Sequence, residues 1–202
     1  MSRPTELIFL GTGTSTGVPE IGCECSVCLS SNEKDKRFRT SVLLKSSQQR
    51  VLIDCGPDFR QQMLKNQIRE LSAILLTHEH YDHVAGLDDV RPLGHTHIYA
   101  SQKVLERVQM NMPYAFVKNE FRLNLPSFTL HTLSSNKFRV GEWEAETLLL
   151  THMHTDVLGF KFQDLAYMTD FNFISAAVLK KIKGIKTLVI DGIELAAMVV
   201  VP

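Results

Sequence analysis

Short apolar runs recur along the chain, separated by polar stretches. They lie at Glu6–Leu10, Ser41–Leu44, Arg50–Asp54, Ala73–Thr77, Thr96–Ala100, Glu146–Leu150, Phe160–Phe162, Ala166–Thr169 and Thr187–Asp191. Several are almost wholly apolar, the pattern of strands covered on both faces. Helical spacing is clearest over Pro57–Asn66, where Phe59, Met63 and Leu64 are expected to share a face, and weaker over Val84–Pro92, Gln102–Met110 and Ser175–Ile182. Strands interleaved with helices, without a G-x-G-x-x-G fingerprint, predict an α/β (α+β) chain with two sheets sandwiched between helices. An ordinary open α/β sheet has the same periodicity. With no repeat, low-complexity tract or linker, residues 1–202 read as one domain.

Lys plus Arg and Asp plus Glu number 22 each, so the formal net charge is zero. No long-range attraction to nucleic acid or an anionic membrane follows. Met1-Ser2-Arg3-Pro4 runs directly into Leu7-Ile8-Phe9-Leu10 without the features of a secretory signal, and no apolar run nears the ~20 residues of a membrane span. A cytoplasmic location is the expectation.

The chemistry concentrates in Leu75-Leu76-Thr77-His78-Glu79-His80-Tyr81-Asp82-His83-Val84-Ala85-Gly86. An apolar strand ends at Thr77, and three imidazoles and two carboxylates follow at once. Ligands gathered at the carboxyl end of a strand can converge on one point, and neutral imidazole with carboxylate suits zinc, manganese or iron. His78 and His80 are two apart and can project the same way, with Asp82 and His83 around the following turn, an arrangement able to feed two neighbouring ions.

This H-x-H-x-D-H run resembles the signature of the metallo-β-lactamase superfamily. Further landmarks fall in order: Gly11-Thr12-Gly13-Thr14, Asp54-Cys55-Gly56 and Tyr167-Met168-Thr169-Asp170. The resemblance implies an αββα sandwich and a one- or two-metal hydrolytic site, here expected to hold two divalent metal ions, zinc or manganese. By that resemblance His152, in Thr151-His152-Met153-His154, is the third histidine of the first ion, with His154 in reserve. Asp170 is the bridging carboxylate, and Asp82 both binds metal and orients the nucleophile as the catalytic residue. Asp54, Asp58 and Asp88 are expected at most to support ligating histidines from behind. His95 and His97 form a second H-x-H without a carboxylate partner, and His131 is read as structural or exposed.

A Gly/Pro-containing loop at 17–28 carries Cys23, Cys25 and Cys28, three thiols within six residues, whose crowding suggests metal ligation rather than a disulfide framework. Structural zinc takes four protein ligands, so one is missing here; Cys55 is expected to be a small buried residue instead. Inside the superfamily, this loop and Gly86-Leu87-Asp88-Asp89-Val90-Arg91-Pro92-Leu93 resemble the PhnP group of phosphoribosyl 1,2-cyclic phosphate phosphodiesterases. The cysteine loop also resembles PqqB proteins. The segment after Asp191 departs from that pattern: no histidine follows His154, so the chain reads as shortened and its second metal position as deficient. The expected activity is metal-dependent phosphodiester hydrolysis of a small cyclic ribose phosphate. A nuclease, an ester or lactam hydrolase and an inactive binding module are the rivals. The expected partner is a small-molecule phosphodiester, with no membrane or nucleic acid, and a homodimer is left open. The one compact basic cluster, Lys34, Lys36, Arg37 and Arg39, reads as a solvated loop.

Overall fold

The computed structural model describes residues 3–117 and 124–191 and the backbone of 199–200. Most of the departing segment after Asp191 lies outside these residues. Strands β1 (Glu6–Gly11), β2 (Ser41–Lys45), β3 (Arg50–Ile53), β4 (Ala73–Leu75), β5 (His95–Ala100) and β6 (Ser127–Thr132) form one sheet in sequential order. The first three pair antiparallel and the rest parallel. The second sheet contains β7 (Lys137–Val140), β8 (Trp143–His152), β9 (Thr155–Phe162), β10 (Leu165–Met168), β11 (Phe173–Ile174), β12 (Thr187–Ile190) and β13 (Val199–Val200). Its order is β12-β10-β9-β8-β11-β13, with β7 beside the first half of β8.

The near-continuous apolar strands are divided by their period of two. In β2, β3 and β4, Val42, Leu44, Val51, Ile53, Ala73 and Leu75 face the other sheet and meet Trp143, Phe160, Phe162 and Tyr167. The alternate positions Leu43, Leu52 and Ile74 pack outward with residues of α1 (Phe59–Lys65) and α3 (Gln102–Asn111). On the far side of the second sheet, Leu148, Leu150, Val157, Ala166 and Met168 pack with Val178 of α4 (Ala176–Ile182). Helix, sheet, sheet and helix are therefore stacked in that order, as expected.

Two expectations need correction. On α1 the buried face is Phe59, Gln62 and Met63, while Leu64 is 60% exposed. Gln62 is drawn inward because its amide donates to the Arg39 carbonyl at 2.9 Å. The stretch Val84–Pro92 is not one helix. A four-residue α2 (Tyr81–Val84) is followed by a 3₁₀ helix over Leu87–Leu93, and Pro92 lies inside the latter.

Candidate metal centre

The candidate site lies at one edge of the sandwich, where β3, β4, β8 and β10 end at their carboxyl termini. After β3 the chain turns at Asp54, whose φ of 64° is in the left-handed region, and after β10 it turns at Asp170, with φ 46°. Asp and Asn enter this region more readily than most residues, so these carboxylates can sit on sharp turns. After β4, Thr77 and His78 are fully buried, and α2 carries Asp82 and His83 inward. The turn Asp54-Cys55-Gly56 is laced to that helix: the Cys55 N–H donates to the His83 carbonyl and the Gly86 N–H to the Cys55 carbonyl, both at 2.8 Å. The second sheet is tied in by the Leu158 N–H donating to the Thr77 carbonyl at 2.9 Å. Asn172 joins its two contributing turns, with its N–H on the Thr151 carbonyl at 3.0 Å and its amide oxygen accepting from the Met153 N–H at 3.1 Å.

A ligand nitrogen or oxygen from each of His78, His83 and Asp170 lies within 4.8 Å of the others. The His83 ring is centred 4.2 Å from His78, and the His80 ring 4.4 Å from it. The His152 ring is 5.7 Å from His80 and 6.4 Å from His78. Asp82 Oδ2 is 3.2 Å and Asp170 Oδ2 2.7 Å from His83 Nε2. Thus His78, His80, Asp82, His83, His152 and Asp170 lie around one centre, with His78, His83 and Asp170 the tightest group among them. His154 is exposed, beyond a left-handed turn at Met153.

The donor set fits a divalent cation. His78 Nε2 is buried and has no hydrogen-bond partner. Burial, reinforced by the neighbouring His83 charge, pushes the His78 pKa down to about 3, so the ring is neutral at pH 7 and can offer a lone pair. At His83, burial favours the neutral ring, but Asp54 and hydrogen bonds to Asp170, Asp54 and Asp82 outweigh it and hold the pKa well above the ordinary value. Those carboxylates surround a position that calls for positive charge. Asp82 and Asp170 are held below the usual carboxylate range; burial opposes this, and the hydrogen bonds and charge of His83 prevail.

Of the three supporting carboxylates anticipated, Asp54 alone serves the ligands, accepting from His83 Nδ1 at 2.8 Å. Asp58 pairs with Arg39 at 3.0 Å, and Asp88 with Arg91 and the Tyr114 hydroxyl. Thr77 was not anticipated. Its hydroxyl lies 2.9 Å from His78 Nδ1 and 2.9 Å from Asp54 Oδ2; the signal was its place directly before the histidine run. His95 and His97 stand apart: His95 binds the Ser127 and Thr129 hydroxyls, and His97 Nδ1 is 2.9 Å from His131 Nε2. His131 also stacks on Tyr99 at 4.2 Å.

The sulfurs of Cys23, Cys25 and Cys28 lie within 4.8 Å of one another. Hydrogen bonds to the Cys25 sulfur, led by the Cys28 N–H and joined by Cys23 and Cys28 side chains, bring its thiol down to about 7. Cys55 is buried in the core under α1, as expected.

The model of the beta-lactamase superfamily domain matches residues 49–198. The chain belongs to that superfamily. A solved structure described as a new diphosphatase from the PhnP family superposes with a TM-score of 0.82 at 35% identity, covering 90% of this chain and 72% of that one. The likeness to the PhnP group read from the cysteine loop therefore holds. Zinc-bound PqqB from Methylobacterium extorquens shares the fold, with a TM-score of 0.75 at 22% identity over 92% of this chain and 72% of PqqB. A Porphyromonas gingivalis protein named octanoyltransferase is 43% identical over 195 residues, 93% of this chain and 39% of that protein. The chain spans about two fifths of the length of the curated relatives it matches. Among the described residues, no helix is long and apolar enough to cross a membrane.

Proposed function

We propose that this beta-lactamase superfamily chain is a metal-dependent hydrolase of small phosphodiesters, with a cyclic ribose phosphate as the favoured substrate. The observation that carries the reading is the buried, unpartnered Nε2 of His78 facing His83 and Asp170. His78, His80 and His152 would hold one divalent ion, zinc or manganese, and Asp82 and His83 a second, with Asp170 between them. Such ions, when bound, supply Lewis acidity and lower the pKa of water. The chain's own part is to set the geometry. Asp82, at the N-terminal turn of α2, is placed to orient a nucleophilic water, and its depressed pKa keeps it ionised as an acceptor. The likeness to a PhnP-family diphosphatase supports phosphorus chemistry. Three of the basic residues that a nucleic-acid groove would need are engaged, Lys36 with Glu33, Arg37 with Thr12 and Arg39 with Asp58.

A second reading, acyl ester or thioester hydrolysis at the same centre, draws on the likeness to the protein named octanoyltransferase. The deciding experiment compares turnover of a ribose 1,2-cyclic phosphate, a short RNA and an octanoyl thioester, with and without manganese. His152→Ala serves as the site variant. Metal-dependent turnover of the cyclic phosphate alone, lost in His152→Ala, is expected. Turnover of the thioester alone would replace the first reading with the second.

A further inference from the structure

Two histidines assigned to different ions share one buried carboxylate. Asp54 is fully buried, as are Thr77 and His78. His83 Nδ1 is 2.8 Å from Asp54 Oδ2. A carboxylate only accepts, so Nδ1 must carry the proton and donate it. The Thr77 hydroxyl lies 3.1 Å from Oδ1 and 2.9 Å from Oδ2 of the same group, and the Thr77 N–H donates to Oδ1 at 2.9 Å.

The same hydroxyl lies 2.9 Å from His78 Nδ1 and, at the outer limit of a hydrogen bond, 3.5 Å from His83 Nδ1, whose proton is already given to Asp54 at 2.8 Å. Thr77 has a single hydroxyl proton, and Asp54 can only receive it. Towards His78 the hydroxyl oxygen can therefore only accept, so His78 Nδ1 carries its ring proton. The sequence of donation runs from His78 Nδ1–H to Thr77 Oγ1, and from Thr77 Oγ1–H to Asp54. At the other end of the ring, His78 Nε2 is buried without a hydrogen-bond partner, and in this tautomer it carries a free lone pair.

We infer that Thr77 is a positioning residue that relays Asp54 to His78, so that one carboxylate orients the His83 ring directly and sets the tautomer of His78 through the threonine, and thereby couples the two metal positions. Each ring is left with Nε2 turned towards the centre. The arrangement is rigid because Asp54 is fixed by its left-handed turn and Thr77 by backbone bonds on both sides: its N–H to Asp54 and its carbonyl to the Leu158 N–H. The consequence for metal affinity rests on the function proposed above. The tautomer itself does not.

The test uses Thr77→Val, which keeps the shape and removes the hydroxyl, with Thr77→Ser as the rescue and Asp54→Asn as the shared break. Thr77→Ala takes the place of the valine variant if amide NMR dispersion shows the latter unfolded. Nitrogen-15 imidazole spectra of the metal-free protein report which ring nitrogen of His78 is protonated, and competition titration reports affinity for zinc and manganese. Wild type and Thr77→Ser should show His78 protonated on Nδ1. Thr77→Val should show a shift towards Nε2–H and a loss in affinity of roughly 10- to 100-fold, the size typical of a broken outer partner. In Thr77→Val the His83 ring keeps its 2.8 Å bond to Asp54 and loses only a 3.5 Å contact with the hydroxyl, so its signal should change far less than that of His78, whereas in Asp54→Asn both rings should change. A His78 signal unchanged in Thr77→Val overturns the inference, and so does a shifted signal with wild-type metal affinity. If the wild type binds neither metal, the proposed function fails, and the tautomer spectra alone decide the relay.

Discussion

Gly56, on the turn after β3, packs its Cα side against the backbone of α2, and adding one methyl there is a sharp test of how the centre is assembled. A Cβ built on Gly56 would fall far inside 3.0 Å of the Asp82 carbonyl oxygen, with the Asp82 carbonyl carbon at 3.0 Å. The obstacle is backbone, so no side-chain rotation relieves it; the two segments must part by about 1 Å. Overpacking of this kind costs about 1–3 kcal/mol. For a chain of this size that corresponds to a fall in Tm of roughly 2–12 °C. The local effect is larger in kind, because the same displacement carries Asp82 and His83 with it, and metal sites tolerate only about ±0.2 Å in ligand distance. Gly56→Ala should therefore lower Tm by several degrees and weaken metal binding at the Asp82–His83 position more than at the His78–His80 position. Thermal unfolding with metal titration reads both. A variant with wild-type Tm and affinity would refute the idea that the turn and α2 are locked backbone to backbone.

The corrected face of α1 gives a paired test: Met63→Ala should cost about 2–4 kcal/mol and Leu64→Ala under about 1 kcal/mol in denaturant unfolding, since Met63 is 6% and Leu64 60% exposed. In metal-free protein, the clustered Cys23, Cys25 and Cys28 should be alkylated by iodoacetamide while the fully buried Cys55 remains unmodified until unfolding, and added zinc should protect the three; mass mapping after partial labelling checks this.

The metal-motif residues were legible because their chemistry is local: His78, His80, Asp82 and His83 are adjacent in sequence and follow an apolar run. His152 was harder, with His154 two residues away, and the positive φ at Met153 that separates them has no sequence mark. Asp54 could be read only as one of three equivalent carboxylates. What distinguishes it is a parallel pairing of β3 with β4 that sets Ile53 opposite Leu75, a register no local pattern reveals. Thr77 escaped for a different reason. A threonine ending a strand is ordinary, and its role arises only from having Asp54 and His78 on opposite sides of one oxygen. The strands β6 and β7 were missed because their residues, among them Ser127, Thr129, His131, Lys137 and Arg139, present no apolar run. Leu64 misled because periodicity counts apolar side chains and takes no account of the Arg39 carbonyl that claims Gln62.

The proposed ligands are divided between the sheets: His78, His80, Asp82 and His83 follow strand β4 of the first, while His152 ends strand β8 and Asp170 follows strand β10 of the second. An ion spanning them would be a cross-link between the halves of the sandwich, closing chain loops of about 70 to 90 residues, whose closure entropy is large and only slowly length-dependent. No single half can offer the full proposed set, so an ion bound there would act as a rivet through both plates. It would add stability in proportion to the logarithm of its concentration above Kd, and chelation would loosen the seam between the sheets before it disturbed either sheet itself.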